Sequence, residues 1–131
     1  MTELLPITGL PLGNIPERVL VVGDPARAAL VAERLSDLTE VAKNREYHSY
    51  RGSSGGADIL VISHGVGTAG AAACFSEIIR AGGTSLVRAG TCGGLQTSVT
   101  DGDLVIATGA VRDDGYTRGV VPIEYPAVAS P

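Results

Sequence analysis

Short apolar runs alternate along this chain with segments whose apolar residues recur at helical spacing. Four such runs predict strands, and the first two have the continuous apolar character of strands buried on both faces. The four runs are residues 18–23, 58–63, 85–90 and 103–107. Helical spacing over residues 26–38 predicts one helix, and a small-residue segment from Gly70 through Arg80 predicts another, which Gly82 and Gly83 are expected to end.

The remaining segments predict an arm, a half-exposed strand and loops. Residues 1–17 are rich in Pro and Gly and predict an arm laid over the fold. Alternation over residues 40–52 predicts a strand with one exposed face, followed by a turn at residues 53–56. Residues 112–131 are expected to form a loop, without a final helix or strand, so we expect a truncated domain. Strands that alternate with helices predict an α/β fold with a mixed, largely parallel sheet.

Composition narrows the class of protein. Hydrophobic residues make up 44% of the 131 residues and charged residues 18%, which is typical of one globular domain. The formal net charge of −4 argues against a general nucleic-acid binder. The N-terminal sequence lacks the pattern of a secretory signal, and no apolar stretch is long enough to span a bilayer. Cys74 and Cys92 resemble neither a metal pair nor a disulfide framework, so we expect a cytoplasmic protein with free thiols.

Two motifs indicate anion binding. In Gly23-Asp24-Pro25-Ala26-Arg27 the backbone N–H groups of a helix start and the Arg27 side chain converge, although an ordinary turn with a surface arginine would show the same letters. Arg88 falls inside an apolar strand, where an unpaired charge is costly, so it needs either a bound anion or an ion pair with a carboxylate. Thr91 follows with a hydroxyl and a backbone N–H group.

Other polar positions carry weaker signals. Gly65-x-Gly67-x-x-Gly70 matches the dinucleotide-binding pattern, but the acidic residue expected about 20 positions later is absent and Arg88 lies there. An arginine at that position could bind the 2′-phosphate of a phosphorylated dinucleotide, so dinucleotide binding stays open as an alternative. His64 is expected to be a structural histidine and His48 to be exposed. Asp113 and Asp114 are expected to be turn formers.

Three motifs in order, GDPxR, Ser-His-Gly-x-Gly and Arg-x-Gly-Thr-Cys-Gly, resemble the hexameric nucleoside phosphorylase family. The resemblance covers about Pro16 to Ala129 and is closest to the uridine phosphorylase branch. It implies a three-layer α/β/α fold, of which residues 1–131 form the N-terminal, phosphate-binding half of a single domain. The family's residues for the ribose hydroxyls and the base belong to the other half.

The resemblance also implies roles for individual residues. The Gly23 backbone N–H would bind phosphate, Arg27 and Arg88 would clamp that anion, and Thr91 would bridge phosphate and ribose. Arg45 matches an arginine that family members lend to the phosphate of a neighbouring subunit.

Further positions match the family less completely. Cys92 and Gly93 fall where the base lies against backbone. Glu46 matches a carboxylate ligand of a monovalent cation, such as potassium, at a dimer interface, while Gly70 replaces the serine ligand of that site. Ile7 aligns with a histidine that family members lend to the neighbour's 5′-hydroxyl.

The implied activity is reversible phosphorolysis of a nucleoside, in particular a pyrimidine nucleoside, to free base and pentose 1-phosphate. Holding phosphate against C1′ stabilises the oxocarbenium character of the departing sugar, which is catalysis by positioning and electrostatics. No cofactor is expected besides phosphate as co-substrate, and the partners are the nucleoside and further copies of the chain in a dimer-based hexamer with shared active sites. Two alternatives stay open, a nucleosidase of the same fold that uses water and a non-catalytic half-domain.

Overall fold

A five-stranded mixed sheet organises the first of two units into which the chain divides, Met1–Gly90 and Thr91–Pro131. The structure, a computed structural model, describes residues 3–130. The elements of the first unit are β1 (Arg18–Val22), α1 (Pro25–Ala32), β2 (Ser36–Asn44), β3 (Tyr47–Ser54), β4 (Ala57–Ser63), α2 (Thr68–Ala81) and β5 (Ser85–Arg88). Those of the second are β6 (Gly109–Ala110), α3 (Gly115–Val120) and β7 (Ala127–Val128).

The strands of the first unit lie in the order β2-β3-β4-β1-β5. β1 pairs in parallel with both β4 and β5, whereas β3 pairs antiparallel with β2 and β4. The register places Val21 beside Ile62 on one side and beside Arg88 on the other, so these three strands end at the same edge. The α/β class and the mixed sheet predicted from the sequence are confirmed.

The two faces of this sheet are covered by different helices because successive side chains of a strand point to opposite faces. Alternate residues of the central strands pack with α2 in one cluster, which contains Val19, Val21, Leu60, Ile62 and Ile78. The intervening residues pack with α1 in a second cluster, which contains Val22, Ala28, Ala32, Tyr50 and Val61. Within the first unit the layers are therefore helix, sheet and helix.

Two boundaries predicted from the pattern are wrong. The first helix ends at Ala32 rather than Leu38, because residues from Ser36 onward pair with β3. The single strand predicted over residues 40–52 is a hairpin of β2 and β3, and its turn contains Arg45 at a φ of 53°. The turn contains neither glycine nor proline, so the alternating pattern gave no signal that the strand is interrupted there. The helix end predicted at Gly82 is confirmed, since Gly82 caps α2 in the left-handed conformation.

The predicted N-terminal arm packs within the first unit, against α2 and the sheet, and its first two residues fall outside the described chain. Leu5 and Leu10 are fully buried in the α2-side cluster. The buried Glu77 carboxylate of α2 accepts hydrogen bonds from the backbone N–H groups of Ile7 and Thr8 and from the Thr8 hydroxyl. A polar contact within an apolar cluster thus fixes the arm.

The second unit differs most from the sequence predictions. Residues 103–107 form no strand, and Leu104 and Ile106 are largely exposed. An apolar run forms a strand only beside a hydrogen-bonding neighbour, and within the described residues of this unit the one ladder joins β6 to β7. The loop predicted over residues 112–131 contains α3 and β7, so that prediction is also wrong. No helix within residues 3–130 is long and apolar enough to cross a membrane.

Candidate functional site

Three adjacent parallel strands of the first unit end beside one cleft. β1 leads into Gly23, β4 leads into His64 and Gly65, and β5 ends at Arg88. These residues line a cleft of about 760 Å³. Its complete lining is Gly23, Asp24, Pro25, Arg27, Glu46, His64, Gly65, Val66, Gly67 and Arg88. Open α/β sheets bind ligands beyond the carboxyl ends of their strands, and this cleft occupies that position.

The start of α1 forms one wall of the cleft. Pro25 occupies the first turn, and the Asp24 carboxylate caps the helix by accepting a hydrogen bond from the Ala26 backbone N–H over 2.9 Å. The half-buried Arg27 side chain lies in the same turn. A Cβ added at Gly23 would lie 3.8 Å from Nη2 of Arg88, so the absence of a side chain leaves that guanidinium nitrogen open to the cleft.

Arg88 also lines the cleft, and the environment predicted for it is wrong. β5 is an edge strand and Arg88 is exposed, so its charge is not buried in the sheet. Within residues 3–130 it forms no ion pair, which contradicts the alternative of a structural pair with a carboxylate. Its Nε instead donates a hydrogen bond to Nε2 of His64 over 2.9 Å.

His64 is the residue of the cleft that sequence analysis undervalued. It is 4% exposed, as a structural histidine would be, and its ring meets that of Phe75 edge to face. Burial, and then the charge of Arg88, lower the pKa of His64 below its ordinary value of 6.5. His64 follows β4 and Arg88 ends β5, and both strands pair in parallel with β1. The contact between His64 and Arg88 could therefore have been predicted from this topology.

Glu46 reaches the cleft from the turn between β2 and β3. It packs over Gly65, where an added Cβ would lie 2.5 Å from Cγ of Glu46, and Gly65 has a φ of 72°. The Ser63 hydroxyl donates to the Glu46 carbonyl oxygen over 2.6 Å. The described residues contain no cluster of three or more His, Cys, Asp or Glu side chains suited to a metal ion. The role of Glu46 in binding a monovalent cation stays a prediction.

Other candidates lie outside this cleft. Arg45 is exposed at the β2–β3 turn and is not among the cleft residues, so its contribution to a neighbouring subunit stays a prediction. Thr91, Cys92 and Gly93 belong to the second unit and are exposed there. Cys92 and Gly93 line a cavity of about 580 Å³ within that unit. Their predicted roles, and that of Thr91, likewise stay predictions.

The turn predicted at Asp113 and Asp114 is instead the start of a helix, because an Asp carboxylate accepts from the free N–H groups of a helix start as readily as from those of a turn, and Asp113 forms an ion pair with Arg118 of α3. Asp114 caps α3 by accepting hydrogen bonds from the backbone N–H and the hydroxyl of Thr117, and these bonds lower its pKa. Sequence analysis missed Arg112, whose guanidinium donates to four backbone carbonyl oxygens. The acceptors are those of Thr117, Val121, Pro122 and Tyr125. His48, expected to be exposed, is half-buried, and its backbone N–H donates to the Ser63 hydroxyl of β4 over 2.9 Å, because the hairpin of β2 and β3 holds it against the end of β4.

Comparison with known proteins identifies the family. The model of the phosphorylase superfamily matches residues 17–131, and this chain belongs to that superfamily. Guanosine phosphorylase of Halorubrum lacusprofundi is 39% identical over 116 residues, which are 88% of this chain and 48% of that protein. Uridine phosphorylase of Treponema pallidum is 38% identical over 120 residues, which are 92% of this chain and 46% of that protein.

Solved structures agree with the sequence relatives. Purine nucleoside phosphorylase of Toxoplasma gondii, solved in complex with immucillin-H, superposes with a TM-score of 0.93 at 35% identity, covering 99% of this chain and 53% of that one. Uridine phosphorylase of Vibrio fischeri superposes with a TM-score of 0.91 at 31% identity, covering 95% of this chain and 52% of that one. The chain therefore spans about half the length of the relatives that it matches, and these relatives include both purine and uridine phosphorylases.

Proposed function

We propose that this chain is the phosphate-binding portion of a nucleoside phosphorylase, which transfers the pentose of a nucleoside from its base to inorganic phosphate. The observation that carries the proposal is the convergence of Gly23, Arg27 and Arg88 on one cleft at the carboxyl edge of β4, β1 and β5. Neither arginine forms an ion pair within residues 3–130, so both guanidinium groups are available to an anion.

The charges of the cleft determine how strongly it can hold phosphate. Two arginines face two carboxylates, those of Asp24 and Glu46, and Asp24 is already engaged as a helix cap. The lining therefore has no net positive charge, and anion binding depends on directed N–H groups rather than on a positive field. We expect phosphate to bind this chain weakly, with a dissociation constant on the order of 1 mM.

The arrangement suits phosphorolysis better than hydrolysis. A nucleosidase that uses water has no need of two arginines beside the attacking group. Phosphate held between them would place a negative charge next to the sugar as its bond to the base loosens, which lowers the barrier electrostatically. Within the phosphorylase class we propose a pyrimidine nucleoside as substrate, and the similarity to both uridine and purine phosphorylases makes a purine nucleoside the competing substrate. Assembly into a hexamer, with Arg45 reaching a neighbouring phosphate, forms part of the same proposal.

The first experiment measures phosphate binding to the 131-residue chain by isothermal titration calorimetry. Arg88→Ala and Arg27→Ala should each weaken binding by at least about tenfold, because each removes a charge-assisted donor. Arg80→Ala is the matched control, since Arg80 is an exposed arginine outside the cleft and its loss changes net charge equally. Phosphate affinity that is unchanged in both cleft variants would overturn the proposed site.

A second experiment addresses the reaction. The chain is incubated with uridine or guanosine, with and without phosphate, and free base and pentose 1-phosphate are quantified. Release of base together with pentose 1-phosphate only when phosphate is present supports a phosphorylase. Release of base and free pentose without phosphate would establish a nucleosidase instead. Phosphate binding without any release would identify the chain as a half-domain that binds phosphate but is not catalytic.

A further inference from the structure

The guanidinium of Arg88 is oriented by one buried acceptor. On the exposed edge strand β5 a side chain of this length has many rotamers, and restricting them has an entropic cost. The Nε–H···Nε2 bond to His64 restricts them by fixing the guanidinium plane. Nη2 then lies beside Gly23, 3.8 Å from where a Cβ would stand, while Nη1 lies beside Gly90. Neither terminal nitrogen forms a hydrogen bond to residues 3–130, so both are available to a ligand.

His64 is suited to this role because its backbone and its ring are both held by neighbouring residues. Its backbone N–H donates to the Val22 carbonyl oxygen over 3.0 Å, and its ring packs against Phe75. Accepting a hydrogen bond at Nε2 requires that nitrogen to be unprotonated, so the neutral ring carries its proton on Nδ1. Within the described chain Nδ1 is buried without a hydrogen-bond partner. The ring therefore keeps an unsatisfied N–H group in order to present its lone pair to Arg88.

We propose that His64 is a positioning residue, whose neutral imidazole holds the Arg88 guanidinium in the orientation that receives the anion. The inference rests on the proposed function, since it assigns Arg88 to an anion site. Protonation of His64 removes the acceptor lone pair and places a second cation against Arg88, so the guanidinium is released from this orientation. His64 then acts through Arg88 and does not itself touch the anion.

The direction of the pH dependence follows from the charges around the ring. The titratable and charged groups that share the cleft with His64 are Arg88 from β5, Glu46 from the β2–β3 turn, and Asp24 and Arg27 at the start of α1. On the buried side, the Cys74 thiol of α2 lies against the carbonyl oxygen of Ser63, the residue that precedes His64. Burial and Arg88 lower the pKa of His64, so the neutral form that positions Arg88 predominates at and above pH 6.5. It is lost only as the pH falls through that lowered pKa.

The test measures sulfate affinity of the 131-residue chain by calorimetry from about pH 8 down to about pH 5. Sulfate stays a dianion over this range, whereas phosphate itself titrates within it. Three chains are compared. They are the natural chain, His64→Gln, whose amide oxygen restores a non-titrating acceptor near the Nε2 position, and His64→Leu, which removes the acceptor. The ring signals of His64 are followed by NMR over the same range to obtain its own midpoint.

We expect the natural chain to lose sulfate affinity as the pH falls, with the midpoint of the loss at the midpoint of His64. His64→Gln should bind with similar affinity to the natural chain at pH 8 and show no such loss, and His64→Leu should bind about tenfold more weakly throughout. Affinity that rises as His64 becomes protonated would show that its charge, not its lone pair, matters, and would overturn the inference. Equal sulfate affinities of the His64→Gln and His64→Leu variants would also overturn the inference.

Three outcomes separate this inference from the proposed function and from a failure to fold. If His64→Leu does not fold, the profiles of the natural chain and of His64→Gln still decide, because their difference depends only on titration at residue 64. If the natural chain binds neither sulfate nor phosphate at any pH, the proposed anion site fails and this inference fails with it. If binding occurs and responds to Arg88→Ala but not to residue 64, only the inference about His64 fails.

Discussion

The buried carboxylate of Glu77 provides a sharp test of how the N-terminal arm is held. Its Oε2 accepts hydrogen bonds from the Thr8 backbone N–H and the Thr8 hydroxyl, both over 2.7 Å, and its Oε1 accepts one from the Ile7 backbone N–H over 3.1 Å. Glu77 is 3% exposed and Thr8 is fully buried, so water cannot replace the two Thr8 bonds. Glu77→Gln keeps the shape of the side chain but removes its charge and turns one acceptor into a donor.

The expected loss follows from these contacts. A hydrogen bond to a charged group contributes about 1.5–3 kcal/mol, against about 0.5–1.5 kcal/mol for one between neutral groups. With the amide oxygen at the Oε2 position, the two Thr8 bonds persist without charge assistance, and the Ile7 N–H keeps its 3.2 Å bond to that oxygen but loses its bond to Oε1. We therefore expect the free energy of unfolding to fall by about 2–4 kcal/mol, a large fraction of the total for a small domain.

Urea unfolding followed by far-ultraviolet circular dichroism measures this change. Glu33→Gln is the matched control, because Glu33 is an exposed glutamate at the end of α1 and its replacement should change stability by less than about 0.5 kcal/mol. Thr8→Val should couple with Glu77→Gln in a double-mutant cycle, since the two share a hydrogen bond. If Glu77→Gln is as stable as Glu33→Gln, the carboxylate does not hold the arm and the estimate is refuted.

Two further predictions concern the thiols and the second unit. Cys74 is fully buried, and burial together with Glu77 raises its pKa to about 12, so at pH 8 it stays protonated while the exposed Cys92 reacts. Iodoacetamide should therefore modify one thiol per native chain and two per unfolded chain, as counted by mass spectrometry, and two in the native state would contradict the burial of Cys74. Arg112→Lys should raise the hydrogen exchange of backbone amides in residues 115–125, because an ammonium group cannot reach the four carbonyl oxygens that the guanidinium binds. Exchange rates equal to those of the natural chain would refute that role.

The sequence determined those features whose cause is local. Continuous apolar runs marked β1, β4 and β5, and Pro25 and Gly82 marked the start of one helix and the end of another. Because parallel strands place their carboxyl ends on one edge, these elements also placed Gly23 beside the turn that follows β4. The order of three short motifs pointed to the superfamily, which the comparisons confirm for residues 17–131.

The tertiary structure alone decided what depends on contacts between distant parts of the chain. Residues 103–107 have the composition of a strand but lack a hydrogen-bonding neighbour within their unit, so composition misled there. Arg88 lies on an edge strand, and this position, rather than its apolar neighbours in sequence, sets its exposure. Its bond to His64 joins residues 24 positions apart, and that of Glu77 to Thr8 joins residues 69 apart. A hydrogen bond leaves no periodic trace in a sequence, because it depends on where the fold brings one donor and one acceptor together.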